Sequence, residues 1–200
     1  MKVAIIKYNA GNVQSVLYAL QRLGINAVVT DDPVEIQEAD KVIFPGVGNA
    51  ASAMAYLRKT SLDELITSLT QPVLGICLGL QLLCNKSEEG DTKCLGIFDV
   101  PVKKFTNPLK SESHFKIPHM GWNNIYNLSS PILNDVKENS FVYFVHSYYA
   151  ELSAQTIATT DYLIPFSAAM HKDNFYGVQF HSEKSADAGI QILSNFLNLE

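Results

Sequence analysis

Val73-Leu74-Gly75-Ile76-Cys77-Leu78-Gly79 is the stretch whose reading decides the fold. A four-residue apolar run enters a Gly-x-Cys-x-Gly turn, and a helical pattern over 78–85 follows at once. Strand, sharp turn and helix in that order make a nucleophile elbow. The turn strains the residue at its tip, small neighbours avoid backbone clashes, and the tip side chain stands above the carboxyl end of the sheet. There a helix N-terminus favours a thiolate through its dipole and free N–H groups. With Gly 11 and Cys 3 in 200 residues, the pattern should arise by chance only about 0.01 times in a chain this long. The competing reading is a buried structural Cys between two packing glycines.

The same alternation surrounds the elbow. Val3–Ile6 reads as a strand, and Val13, Val16, Leu17, Leu20 and Leu23 recur at helical spacing until Gly24. Ala27–Thr30 and 42–44 read as further strands, closed by Asp31-Asp32-Pro33 and Pro45-Gly46. Met54 and Leu57 mark one helix, and a second runs from near Ser61 through Leu69 to a stop at Pro72. This order predicts an α/β fold: a mixed, mostly parallel central sheet with helices on both faces, a three-layer sandwich. In the second half, 100–105, 124–126, 141–145, 155–159, 167–170 and 175–180 read as strands, and a helix over about Ala186–Leu197 closes the chain. The polar run 107–116 reads as a mobile loop. With no repeat and no composition shift, residues 1–200 read as one domain.

Composition narrows the function. Hydrophobic residues at 47% and charged residues at 18% are globular values. A net charge of −5 counts against a nucleic-acid scaffold and an anionic membrane surface. No run reaches the roughly 18 apolar residues of a membrane span. The first residues lack the roughly 7–15 apolar residues of a signal peptide, so the chain is read as cytoplasmic. Cys77, Cys84 and Cys94 form no C-x-x-C pair and no zinc spacing. Neither a metal nor another cofactor is expected. Cys84 and Cys94 read as inert packing thiols.

A cysteine nucleophile calls for a histidine and a third group to hold it. Of His114, His119, His146, His171 and His181, the last is best placed. It ends the strand pattern Tyr176-Gly177-Val178-Gln179-Phe180, and Glu183 follows two residues later. If the backbone stays extended, residues i and i+2 share a side, so one imidazole nitrogen meets the carboxylate and the other faces the thiol. Ligands and catalysis gather at the carboxyl ends of such strands. His114 and His171 sit in polar loops, and His119 and His146 read as packed imidazoles. For the oxyanion, Pro45-Gly46-Val47-Gly48 offers a flexible backbone near the elbow. One donor is expected from Leu78 and the other from Val47 or Gly48.

Together these motifs resemble the glutaminase subunits of imidazole glycerol phosphate synthases, class I (triad-type) glutamine amidotransferases. Gly75-Ile76-Cys77-Leu78-Gly79-Leu80-Gln81 and Gln179-Phe180-His181-Ser182-Glu183-Lys184-Ser185 look like the superfamily's nucleophile and His/Glu motifs. Asn9-Ala10-Gly11-Asn12, Pro45–Gly48, Pro118-His119-Met120-Gly121-Trp122-Asn123 and His146-Ser147-Tyr148-Tyr149 narrow the likeness. The resemblance covers essentially the whole chain. It implies a Cys77–His181–Glu183 triad that hydrolyses glutamine to glutamate and ammonia through a glutamyl thioester. Gly48, Leu78, Gln81, Ser147 and Tyr148 match its glutamine pocket, with Glu89 a weaker match for the substrate ammonium. Asn12, Met120, Trp122 and Lys184 match positions facing a (β/α)8-barrel cyclase subunit in a heterodimer. That cyclase takes the ammonia through a tunnel and makes imidazole glycerol phosphate and aminoimidazole carboxamide ribonucleotide, a step of histidine biosynthesis.

The chain departs from the pattern at Lys7-Tyr8, where an acidic residue and an aromatic are usual, and at Asn49-Ala50-Ala51, where an aromatic is common. Two other readings stay open: another class I glutaminase subunit, such as that of pyridoxal phosphate synthesis, and a non-catalytic binding subunit of the same fold. The Gly-rich loop also suggests an oxyanion donor turned away until partner and nucleotide bind.

Overall fold

The structure, a computed structural model, describes residues 1–8, 11–106 and 115–199. His114 and most of the polar run 107–116 lie outside the described residues. The first half alternates as the pattern predicts: β1 (Val3–Ile6), α1 (Val13–Arg22), β2 (Ala27–Thr30), α2 (Pro33–Gln37), β3 (Lys41–Phe44), α3 (Ala50–Lys59), α4 (Leu62–Ser68), β4 (Val73–Ile76) and α5 (Leu78–Leu83). The second half adds β5 (Lys86–Ser87), β6 (Thr92–Lys93), β7 (Pro101–Lys104), β8 (His119–Ile125), β9 (Ser140–His146), β10 (Tyr148–Ala150), β11 (Thr156–Tyr162), β12 (Ile164–Lys172), β13 (Phe175–Val178) and α6 (Ala186–Leu197).

Seven strands form the central sheet, in the order β11-β12-β13-β4-β3-β1-β2. The run from β13 to β2 is parallel, whereas β11 and β12 join antiparallel. A parallel strand covered on both faces favours an apolar run; β1, β3 and β4 are buried at every position, and Lys41 at the start of β3 is their one charged residue. Within β1, Val3 and Ile5 join one hydrophobic cluster, with α1 and α6. Ala4 and Ile6 join the other, with α3, α4 and α5. Those two clusters are the two interfaces of the sandwich.

The topology positions the site. Strands β3, β4 and β13 lie side by side in parallel. Their carboxyl ends therefore deliver the Pro45–Gly48 loop, Cys77 and the His181 segment to one place. One helix escaped the sequence pattern. Asp31-Asp32-Pro33 reads as a turn, but Asp32 accepts from the N–H groups of Val34 and Glu35 and caps the short α2, with Pro33 in its first turn.

Outside the central sheet, β8 and β9 pair as an antiparallel ribbon, and β10-β7-β5-β6 forms a small second sheet. The ribbon is two-faced. His119, Phe144 and His146 are buried on one side, while Met120 (63%), Trp122 (53%) and Phe141 (60%) are exposed on the other. Among the described residues, no helix is long and apolar enough to cross a membrane.

Candidate active site

The elbow is built as the sequence requires. Cys77 sits at φ 55°, ψ −107°, a strained conformation for a residue with a side chain. Its N–H donates to the Val178 carbonyl at 2.8 Å, which fastens the tip to the end of β13. The flanking glycines are steric necessities. A Cβ on Gly79 would strike the Phe44 carbonyl, and one on Gly75 would lie 2.8 Å from the Gly79 and Leu80 backbone.

His181 comes from the segment after β13, but not by the extended route the i, i+2 argument assumes. The strand ends at Val178, and Ser182–Lys184 is a 3-10 turn. That turn still brings the two groups together: His181 Nδ1 lies 2.7 Å from Glu183 Oε1. A carboxylate only accepts, so Nδ1 carries the proton and the other ring nitrogen is left for Cys77. The His181 N–H donates to the Tyr143 carbonyl at 2.9 Å. Ser185 Oγ donates to the His181 carbonyl at 2.6 Å and accepts from the Tyr143 N–H at 3.0 Å. His181 is thus pinned to β9. Burial opposes a charged imidazole here. The hydrogen bonds and negative charges of Cys77 and Glu183 outweigh it and push the His181 pKa up to about 10.

A cleft of about 320 Å³ opens above the thiol, the lower end of the range for small-molecule sites. Cys77, Leu78, Gln81 and His181 line it, together with Val47, Gly48, Glu89, Ser147 and Tyr148. Glu89 is partly committed, since its Oε2 accepts from the Ala50 N–H at 2.7 Å, at the start of α3. The structure also brings in Pro118, Val145 and His146, which the sequence reading did not assign to the pocket.

One of the N–H groups expected as an oxyanion donor has a partner within the chain. The Leu78 N–H is engaged by the Gly46 carbonyl at 3.2 Å. Gly48 sits at φ +133°, a conformation that suits glycine. The two sequence departures hold this loop at its ends. Tyr8 Oη donates to the Pro45 carbonyl at 2.6 Å, and Asn49 caps α3 by accepting from the Ser52 N–H at 3.2 Å.

Asn12 also has a partner within the chain: from the β1–α1 loop, its side-chain amide donates to Glu183 Oε1. Met120, Trp122 and Lys184 are exposed. His119 and His146 hydrogen bond to each other at 2.9 Å. Burial pushes their pKa values down to about 4 and about 3, so both are neutral packed imidazoles. His171 lies in β12 rather than in a loop, and its ring stacks on Tyr176 of the neighbouring β13. Burial pushes the Cys94 thiol up to about 11, and that of the fully buried Cys84 higher still, as inert thiols behave.

Residues 4–199 match the family model for class-I glutamine amidotransferases. The chain belongs to that family. It is 59% identical, over all of both chains, to a Bacteroides fragilis protein named imidazole glycerol phosphate synthase subunit HisH. A protein of the same name from Yersinia pseudotuberculosis is 47% identical, again over all of both chains. Among solved structures, a glutamine amidotransferase from Thermotoga maritima superposes with a TM-score of 0.66 at 18% identity, covering 99% of this chain and 83% of the other. Another glutamine amidotransferase reaches 0.71 at 14% identity, covering 97% and 98%. At those identities the likeness concerns the fold.

Proposed function

We propose that this chain is the glutaminase subunit of an imidazole glycerol phosphate synthase, with Cys77, His181 and Glu183 as its triad. The single observation that carries the reading is a strained cysteine facing a histidine that a buried carboxylate holds at 2.7 Å, under a small-molecule cleft. In this mechanism the Cys77 sulfur attacks the side-chain amide carbon of glutamine. The carbonyl electrons move onto oxygen, giving a tetrahedral oxyanion. His181, charged at neutral pH, gives its proton to the amide nitrogen. The C–N bond breaks, ammonia leaves, and a glutamyl thioester remains on Cys77. The now neutral His181 takes a proton from water as its oxygen attacks the thioester carbon; the C–S bond breaks, the Cys77 sulfur leaves with its electron pair, and glutamate is released. Glu183 keeps the imidazole in one tautomer throughout.

The oxyanion needs two backbone donors. One peptide unit carries both the Gly46 carbonyl that occupies Leu78 and the Val47 N–H. Turning that unit over frees the Leu78 N–H and aims the Val47 N–H at the same spot. The positive φ of Gly48 next door supports such a turn. In this reading the resting loop holds glutamine hydrolysis back until the partner engages.

The partner is the cyclase subunit, taken as a (β/α)8 barrel in a heterodimer, and it receives the ammonia. The exposed apolar face of β8–β9 supports docking there. Its Trp122 and Tyr143 rings pack edge-on with centroids 5.9 Å apart, and Tyr143 also pins the His181–Lys184 turn. A partner on this face therefore touches the element that carries the base. The test is glutamate release from the chain alone, with the cyclase, and with cyclase plus its nucleotide substrate. Release that rises across the three and vanishes in Cys77→Ala supports the reading. Release at full rate by the chain alone overturns the gating. No release in any condition overturns the glutaminase.

A further inference from the structure

Gln179 has no role in the triad or the pocket, yet it is completely buried beside the nucleophile. Its Nε2 lies 3.7 Å from Cys77 Sγ. Its Oε1 accepts from Gln81 Nε2 at 2.9 Å. The same Gln81 Nε2 donates to the Tyr148 carbonyl at 2.8 Å.

Donor and acceptor logic fixes both amide orientations. A backbone carbonyl only accepts, so Gln81 must present its NH2 to Tyr148. The second proton of that NH2 points at Gln179, which therefore presents oxygen to Gln81 and NH2 to the sulfur. Rotating either amide would set like groups face to face between buried side chains and leave their hydrogen bonds unmade. The Tyr148 carbonyl is itself held. His146 Nδ1–H donates to it at 2.7 Å, which leaves His146 Nε2 to accept from His119 Nδ1–H at 2.9 Å. The Tyr148 carbonyl, in β10, is thus tied to the packed face of the β8–β9 ribbon.

The sulfur has a second polar neighbour. The Val145 carbonyl lies 3.9 Å from Sγ. It can accept from a protonated thiol and repels a thiolate. An N–H donor from Gln179 does the reverse, and it strengthens when its acceptor is ionised.

We propose that Gln179 is a positioning residue for Cys77: its amide, locked by Gln81 and the Tyr148 carbonyl, donates to the sulfur and favours the thiolate over the thiol bonded to Val145. The inference rests on Cys77 being the nucleophile. It assigns Gln81 a structural task besides any contact with substrate.

The test is iodoacetamide alkylation of the complete chain across pH, with the Cys77 peptide followed by mass spectrometry. Gln179→Met removes the donor with similar volume, and Gln179→Glu replaces it with a charge. Turnover of glutamine is measured in parallel with the cyclase and its nucleotide. The alkylation profile of Cys77 is expected to move to higher pH by about one unit in Gln179→Met, the equivalent of one hydrogen bond to a charged group, and further in Gln179→Glu. A roughly tenfold fall in kcat with KM within about twofold should accompany it. A folded variant with the wild-type profile overturns the proposal. Should both variants fail to fold, the Gln179 side-chain amide signals of the wild-type chain decide by NMR: they shift when Cys77 is alkylated, or, if static, overturn it. Failure of the wild-type complex to release glutamate would instead count against the triad, because alkylation is read without turnover.

Discussion

The Leu78 N–H, one residue past Cys77, donates to the Gly46 carbonyl at 3.2 Å. A group proposed to stabilise the oxyanion is thus already bonded within the protein. A single oxyanion-hole donor is worth about 10²–10³ in kcat. Glutamate release by the chain alone should therefore be about 100-fold or more below that of the complex with nucleotide bound, as a coupled glutamate assay would show. Equal rates would mean that the Gly46–Val47 peptide turns without help.

Trp122 is exposed on the same ribbon face as Met120 and Phe141, so Trp122→Ala removes little from the core. Stability of the isolated chain should change by less than about 0.5 kcal/mol in urea unfolding. Affinity for the cyclase, measured by titration calorimetry, should fall by about 30-fold or more, the scale of a central aromatic anchor. Unchanged affinity would place the partner elsewhere.

The histidine pair gives a pH signature. Burial lowers His119 to about 4 and His146 to about 3, below the roughly 6.5 of an unfolded histidine. The unfolded chain therefore binds more protons across that window, and stability falls as pH drops from about 6.5 through about 4 and 3. His119→Phe should flatten that part of the curve. Urea midpoints recorded from pH 7 to pH 4 check it.

His181 runs the other way. Its folded value is raised to about 10, so its pairing with Glu183 and Cys77 stabilises fully below about 6.5 and fades as pH rises through about 10. Glu183→Gln weakens that pairing. The stability gap between wild type and Glu183→Gln should be widest near pH 6 and narrow toward pH 10, again by urea unfolding. A gap that widens with pH contradicts the ion-pair account.

Much of this was legible in the sequence because it rests on local pattern. The Gly-x-Cys-x-Gly elbow, the fully apolar strands and the His181–Glu183 spacing each have a short-range cause. What was not legible depends on packing. The 3-10 turn at Ser182–Lys184 arises because Ser185 and Tyr143 pin His181, a contact between segments about forty residues apart. Asn12 was assigned to an interface, and only the fold shows its amide on Glu183. Gln179 stood inside a quoted motif without a role, since its partner Gln81 is 98 residues away. The capped helix α2 did carry a signal, Asp32-Pro33, that also reads as a turn.

The most direct test of the central claim is to trap the covalent intermediate. The complex would be treated with a glutamine-like diazo ketone, digested and mapped by mass spectrometry. The account predicts a single adduct on the Cys77 peptide, none on Cys84 or Cys94, and loss of glutamate release in step with labelling. Glutamate release at the wild-type rate by Cys77→Ala, or inactivation through another residue, would contradict it.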